Sequence, residues 1–260
     1  MMEDAERFCA RLDAAAETGR TLSFWWRDDD ATEPTPELDR LAGLFGEIEK
    51  ERRPPLGLAV IPDGARPALV DRLAREPHIA ILQHGLAHRN HAQDGEKKSE
   101  FPLSRPLTNC LADVKTGRTR LLQLFDGKLL PVFVPPWNNV SAPVVEGLSA
   151  LGIQGLSRLG PTKGARGECN THLDIIEWRK TRGFIGREAA FRLLTEEAER
   201  RLAGVSEPIG VLTHHLAQDE ACWDFCRELL TLLSNHPGAG FPPLQELFAL
   251  EEPECPSSHG

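Results

Sequence analysis

Residues 20–30 read RTLSFWWRDDD, an apolar strand over 20–26 that runs straight into Arg27, Asp28, Asp29 and Asp30. What surrounds this stretch decides the class of fold. An amphipathic helical pattern precedes it at 3–17. Strand-like runs recur after it at 56–61 (LGLAVI), 78–83 (HIAILQ), 130–134 (LPVFV), 153–157 (IQGLS), 172–176 (HLDII) and 208–213 (PIGVLT). Helical patterns lie between most of them, near 37–51, 66–75, 107–125, 141–151 and 186–203, with another at 218–235. Strands separated by helices need crossover connections, which predicts an α/β protein with about seven mostly parallel strands covered by helices. No internal repeat or linker divides the chain, so a single domain over 1–260 is expected, with its first helix within 1–18 and a frayed tail at 252–260. The polar loop 92–106 (AQDGEKKSEFPLSRP) is long enough to be either a lid or a surface excursion.

Charge narrows the partners. Lys and Arg total 30 against 39 Asp and Glu, a net charge of −9, and no basic run offsets it. Neutralising phosphates needs a basic surface, so nucleic acid is not expected as a partner. No window approaches the roughly 20 apolar residues that cross a bilayer, and the amino-terminal residues carry acids where a signal peptide would be apolar. No membrane association and a cytoplasmic location are therefore expected, with Cys9, Cys110, Cys169, Cys222, Cys226 and Cys255 reduced. Cys222 and Cys226 share one face of a helix and read as core residues rather than a metal cage. Nothing in the sequence reports the oligomeric state.

Unusual polar residues fall at four strand ends, where parallel α/β folds gather ligands and catalytic groups. The three carboxylates of Asp28–Asp30 would repel one another unless a cation sits nearby; the alternative is a solvated acidic turn with Asp30 capping the next helix. After 78–83 come His84, His88 and His91. One helical turn would bring His84 and His88 to the same side, and neutral imidazole is a common zinc ligand. Two His and one carboxylate leave coordination positions open for water and substrate, as catalytic metals require. After 130–134 come Pro135, Pro136, Trp137, Asn138 and Asn139, either a rigid rim loop or a turn that aims a backbone amide at a substrate oxygen. After 208–213, His214 and His215 are either structural or an acid or base poised near neutral pH.

Taken together, these residues resemble the polysaccharide deacetylase (NodB-like) family, carbohydrate esterase family 4, from about residue 20 to 216. The family's Asp-Asp-Gly motif is similar to Asp29-Asp30-Ala31, and its His-x-x-x-His motif is met by His84 and His88. Its Pro-aromatic-Gly turn resembles Pro136-Trp137-Asn138, its Asp-x-x-Asp-Trp motif resembles Asp174 to Trp178, and its Leu-x-His matches Leu212-Thr213-His214. The resemblance implies a distorted (β/α) barrel and deacetylation of an N- or O-acetylated sugar or polysaccharide. It implies metal ligands Asp30, His84 and His88, a general base Asp29, a general acid His214, and an oxyanion contact from the Trp137 amide. Glu177 would orient a catalytic histidine, with Trp137, Asn138 and Trp178 against the substrate. Asp28, His215 and Asp174 are the alternatives in register. Zinc suits two nitrogens and one oxygen, while cobalt, nickel or iron would fit similar chemistry. The pattern resembles a divergent cytoplasmic branch. The motif's arginine, two residues before Pro136, is Val134 here, and Arg27, Arg105 and Arg179 are the candidates to replace it. A small-molecule substrate is as compatible as a polymer, since Trp25 and Trp26 lie within a strand. Other readings are a degenerate barrel that binds sugar or metal without chemistry, and a hydrolase of another amide or C–N bond.

Overall fold

The first strand is longer than the sequence suggests and carries the acids with it: β1 spans Leu22–Ala31, so Asp28, Asp29 and Asp30 lie in the sheet and not in a turn. The computed structural model describes residues 4–251; the tail read at 252–260, Cys255 with it, lies outside the described residues. After α1 (Asp4–Glu17) and β1 come α2 (Pro36–Gly46), β2 (Leu56–Val60), α3 (Pro67–Leu73), β3 (Ile79–His84), α4 (Leu107–Leu124) and β4 (Leu129–Val134). Then follow α5 (Ala142–Gly147), β5 (Gly155–Leu156), β6 (Leu173–Asp174), α6 (Arg187–Leu202), β7 (Ile209–Thr213), α7 (Glu220–Asn235), β8 (Ala239–Gly240) and α8 (Leu244–Leu247). The last strand and helix have no counterpart in the sequence reading, because two and four residues are too short to show a period. α2 is capped by the Thr35 hydroxyl, which accepts from Leu38 N at 3.1 Å, so Asp30 does not cap it.

The strands form one curled sheet in the order β5-β4-β3-β2-β1-β7-β6, with β8 beside the start of β1, and every strand pair is parallel. Bridges Leu156 to Glu168 and Leu159 to Thr171 draw the segment before β6 against β5. The architecture is the distorted (β/α) barrel expected. Period-two alternation sorts each strand between its faces. Phe24 and Trp26 of β1 pack outward under the helices, with Leu56, Leu58 and Val60 of β2 and Ile209 and Val211 of β7. Trp25 points inward with Ala59, Leu82, Val132, Val134, Leu244 and Phe248. Its ring meets Phe248 edge-on at 5.4 Å, and a side chain at Gly210 would lie 2.5 Å from its Nε1. The aromatic plug contributes on the order of 3 kcal/mol per buried ring. It also fills the lower barrel, so the polar inward positions lie above it, at the carboxyl ends of the strands.

Cys222 and Cys226 are buried in the core on α7, as expected. Burial pushes the Cys222 thiol up to about 12 and Cys226 well above its ordinary value, which leaves both unreactive at neutral pH. No helix among the described residues is long and apolar enough to cross a membrane. The loop 92–106 is half strap, half excursion: 93–98 is largely exposed, whereas Ser99, Glu100 and Phe101 are buried.

Candidate metal centre and its surroundings

Strict alternation on β1 would turn Arg27 and Asp29 inward and Asp28 and Asp30 outward. The β1–β2 register breaks between Asp28 and Ala31, where β1 carries one residue more than its partner. Asp30 takes the left-handed conformation there, with φ 77°. This bulge re-aims Asp30 to the side of Asp29, the use to which such irregularities are put at strand ends. Asp28 stays on the outer face.

Asp30, His84 and His88 offer three ligand atoms that all lie within 4.8 Å of one another. Asp30 Oδ1 is 3.2 Å from His84 Nε2 and 3.4 Å from His88 Nε2. Ligands held 2.0–2.1 Å from a tetrahedral metal are spaced by about 3.3 Å, so the donor set fits a zinc-sized ion. The protons agree with the distances. His84 Nδ1 lies 3.0 Å from the Val134 carbonyl. A proton donated there leaves a lone pair on Nε2 facing Asp30, the outer-sphere arrangement typical of metal-binding imidazoles. Asp30 Oδ1 is buried and has no hydrogen-bond donor. Two acceptors facing each other at this range call for a cation between them.

With no cation present, the same closeness couples the charges of these groups. Burial alone would raise the Asp30 carboxyl, but its contact with His84 and the charges of His84, His214 and His88 carry it well below the usual carboxylate range. Burial disfavours a charged His84, yet the carboxylates of Asp29 and Asp30 outweigh it and raise the ring. Burial lowers His88, and the charge of His84 adds to that.

The segment joining His84 to His88 is not the helical turn expected. It is an irregular loop with Gly85 at φ 59° and His88 at φ 52°. The rings meet because the backbone reverses, with centroids 5.2 Å apart.

Of the three arginines open to replace the motif's own, Arg27 is the one beside Asp29. It is fully buried and donates to both carboxylate oxygens, from Nε to Oδ1 at 2.9 Å and from Nη2 to Oδ2 at 3.1 Å. Its remaining donors reach Ser157 Oγ (2.8 Å), the Arg158 carbonyl (3.3 Å) and Asn138 Oδ1 (2.6 Å). A signal for this lay in the sequence, since residues two apart on a strand share a face. Arg105 instead pairs with Asp113. Asn138, expected against substrate, commits its Oδ1 to Arg27. Trp137 and Asn138 both adopt positive φ, 55° and 54°. Such a conformation is strained for a bulky residue and clusters at functional sites. The Trp137 ring packs 4.3 Å from that of His88.

The histidine pair separates as the aspartates do. His214 Nε2 lies 4.0 Å from Asp29 Oδ2, and its side chain keeps 12% exposure. His215 is buried behind the sheet, where its Nδ1 donates to Asp28 Oδ1 at 2.5 Å and its backbone amide to Asp28 Oδ2 at 3.0 Å. Thr213 Oγ1 also donates to Asp28, at 2.6 Å, and accepts from Trp26 Nε1 at 3.0 Å. The alternatives Asp28 and His215 therefore sit together, away from the metal ligands.

Glu177 corrects another expectation. Its carboxylate accepts from the Arg179 amide and makes no hydrogen bond to His214 among the described residues. The acid near His214 is Asp174, raised by burial and lowered in part by the His214 charge. Asp174 accepts from Ile176 N at 3.0 Å and Trp178 Nε1 at 2.9 Å, and the Trp178 ring stands edge-on to His214 at 4.7 Å.

No family model matches the sequence, and no curated protein matches it. Solved structures do. A Mycobacterium smegmatis protein provisionally named a polysaccharide deacetylase superposes with a TM-score of 0.65 at 14% identity, covering 91% of this chain and 96% of that one. A mutant of a CE4 family pseudoenzyme with restored enzymatic activity gives 0.57 at 13%, covering 88% and 68%. The catalytic domain of a peptidoglycan N-acetylglucosamine deacetylase from Eubacterium rectale gives 0.54 at 11%, covering 85% and 87%. At these identities the likeness establishes the polysaccharide-deacetylase type of barrel.

Proposed function

We propose that the chain is a metal-dependent hydrolase that removes an acetyl group from an N-acetylated, or O-acetylated, sugar. The observation that carries this reading is convergence: the three candidate ligands Asp30, His84 and His88 stand beside an arginine-held carboxylate, Asp29, and a partly open imidazole, His214. A divalent cation in that donor set would supply Lewis acidity to the acyl oxygen and to the attacking water.

The chain's own residues do the rest. Asp29 takes the proton from the attacking water, and Arg27 fixes its carboxylate through two parallel bonds so that it cannot rotate away from the reaction. The Trp137 turn offers a backbone amide to the negative charge that develops on the acyl oxygen; the amides of Asn138 and Asn139 are occupied by the Pro135 and Pro136 carbonyls. One such donor is worth roughly 3–4 kcal/mol of transition-state stabilisation. His214 then gives a proton to the departing amine or alcohol, with the Trp178 ring against it limiting its rotation. Trp137 and Trp178 flank this point and suit the apolar faces of a sugar ring.

A second reading, a barrel that binds without chemistry, is favoured by the pseudoenzyme among the similar structures. Arg27 argues against it, because it brings an arginine to the proposed base although the position of the motif's arginine is Val134 here. Elemental analysis of protein purified without added metal, together with acetate release from a panel of acetylated sugars, separates the two. Hydrolysis predicts one metal per chain, lost in His84→Ala together with acetate release. Bound metal with no release across sugars and small amides supports the binding reading. The same elemental analysis identifies the ion, for which the two-nitrogen, one-oxygen set favours zinc over cobalt, nickel or iron.

A further inference from the structure

The short link between His84 and His88 has no helix to hold it, yet each of its three backbone amides has an acceptor, Gly85 N in the Val134 carbonyl at 3.2 Å. Leu86 N donates to Glu100 Oε2 at 3.1 Å and Ala87 N to Glu100 Oε1 at 2.8 Å, while the Leu86 carbonyl accepts from Asp63 N at 2.8 Å. Glu100 is 1% exposed. No lysine or arginine side chain reaches its carboxyl group among the described residues, so both of its oxygens are held by backbone amides next to a candidate metal ligand. Gly85 makes room for it: a side chain there would stand 2.1 Å from Glu100 Oε2 and 2.7 Å from Pro136 Cγ. Two left-handed residues in five, one of them His88, is a conformation the segment would not keep unaided.

Glu100 is anchored from its own side. Phe101 packs against Phe133 at 5.4 Å, its carbonyl accepts from Ser141 N at 3.0 Å, and Ser99 Oγ donates to the Asn139 carbonyl at 2.8 Å. Arg105, paired with Asp113, donates to the Glu100 carbonyl at 3.3 Å.

We infer that Glu100 is a positioning residue for the candidate metal centre: its carboxylate gathers the Leu86 and Ala87 amides and thereby aims the His88 ring at Asp30. The buried half of the 92–106 strap thus supports the metal site rather than covering it. The inference rests on the metal reading above and names a residue outside its ligand set.

The test is metal affinity, measured by zinc competition with a chromophoric chelator on the full chain. Glu100→Gln keeps the shape but presents one NH2 group to an amide that needs an acceptor. It should lose affinity by about 10- to 100-fold, the usual cost of losing an outer-sphere partner. Glu100→Asp, charged but shorter, should fall between that variant and wild type. Glu96→Gln, on the exposed part of the strap, should match wild type. Visible spectra of the cobalt-substituted proteins should shift in the Glu100 variants alone, a change that general loosening of the fold would not produce. Circular dichroism and metal-free melting temperatures establish that each variant folds; should Glu100→Gln not fold, Glu100→Asp carries the test. Stoichiometric wild-type binding with unchanged affinity and spectra in the Glu100 variants overturns the inference alone. A wild type that binds no metal overturns the metal reading, and this inference with it.

Discussion

Asp28 and Asp29 are neighbours on one strand, and His214 and His215 are neighbours at the end of another, yet the two Asp–His couples lie on opposite faces of the sheet. The outer couple is sealed. Asp28 and His215 are both fully buried and directly bonded, and Thr213 and the His215 amide complete the Asp28 carboxylate. The inner couple is held apart. Asp29 is clamped by Arg27 from one side, and His214 stands 4.0 Å away with part of its ring open. A pair bonded to each other and shut off from solvent presents nothing to a ligand, whereas a separated, partly open pair leaves an acceptor and a donor for one to meet. A strand's one-residue alternation thus assigns the same residue types to structure or to chemistry.

The comparison is broken most directly by Asp29→Asn. Acetate release should fall by about 10³-fold, within the usual range for losing a general base, with metal content intact. Persistent turnover would remove Asp29 from the mechanism.

Asp28→Ala should do the reverse. It leaves the Thr213 hydroxyl, the His215 amide and the His215 ring without their acceptor. Breaking such a buried pair costs about 3–5 kcal/mol, to be read from the denaturation midpoint, while kcat below the melting range changes little. A loss of rate equal to that of Asp29→Asn, at unchanged stability, would erase the distinction drawn between the couples.

The smallest expected effect sharpens the outer couple through pH. Burial disfavours a charged His215, but the charge and hydrogen bond of Asp28 more than reverse this and raise it above the ordinary 6.5. A histidine raised in the folded state contributes stability that is fully present below the unfolded value and is lost as pH rises through the folded one. The melting temperature should therefore decline as pH climbs past 6.5, and His215→Gln should lack that part of the decline. Parallel profiles for the two proteins would show that His215 is neutral in the fold.

Much of the architecture is legible locally. Each of the seven strands read from the sequence is present, because apolar runs bounded by helical periods leave few alternatives for a chain of this length. The carboxylates and imidazoles at strand ends likewise identify where chemistry gathers. Which of them converge is not local. Asp30 reaches the side of Asp29 only through a bulge, whose register depends on β2, and His84 and His88 meet across a loop that Glu100 and Asp63 support. Glu177 matches the motif by spacing, yet its carboxylate turns to the Arg179 amide while Asp174 takes the place near His214.

By itself, then, the sequence determined the alternation of strands and helices, the apolar faces, and the kinds of group presented at the barrel's mouth. Those follow from periodicity and residue chemistry, which act over a few residues. The tertiary structure alone decided that the remaining donors of Arg27 meet Ser157 and Asn138, that Asp28 and His215 withdraw behind the sheet, and that Glu100 stands under the loop carrying His88. These depend on register, backbone handedness and burial, which arise only when segments distant in sequence compete for the same space and the same hydrogen-bond partners.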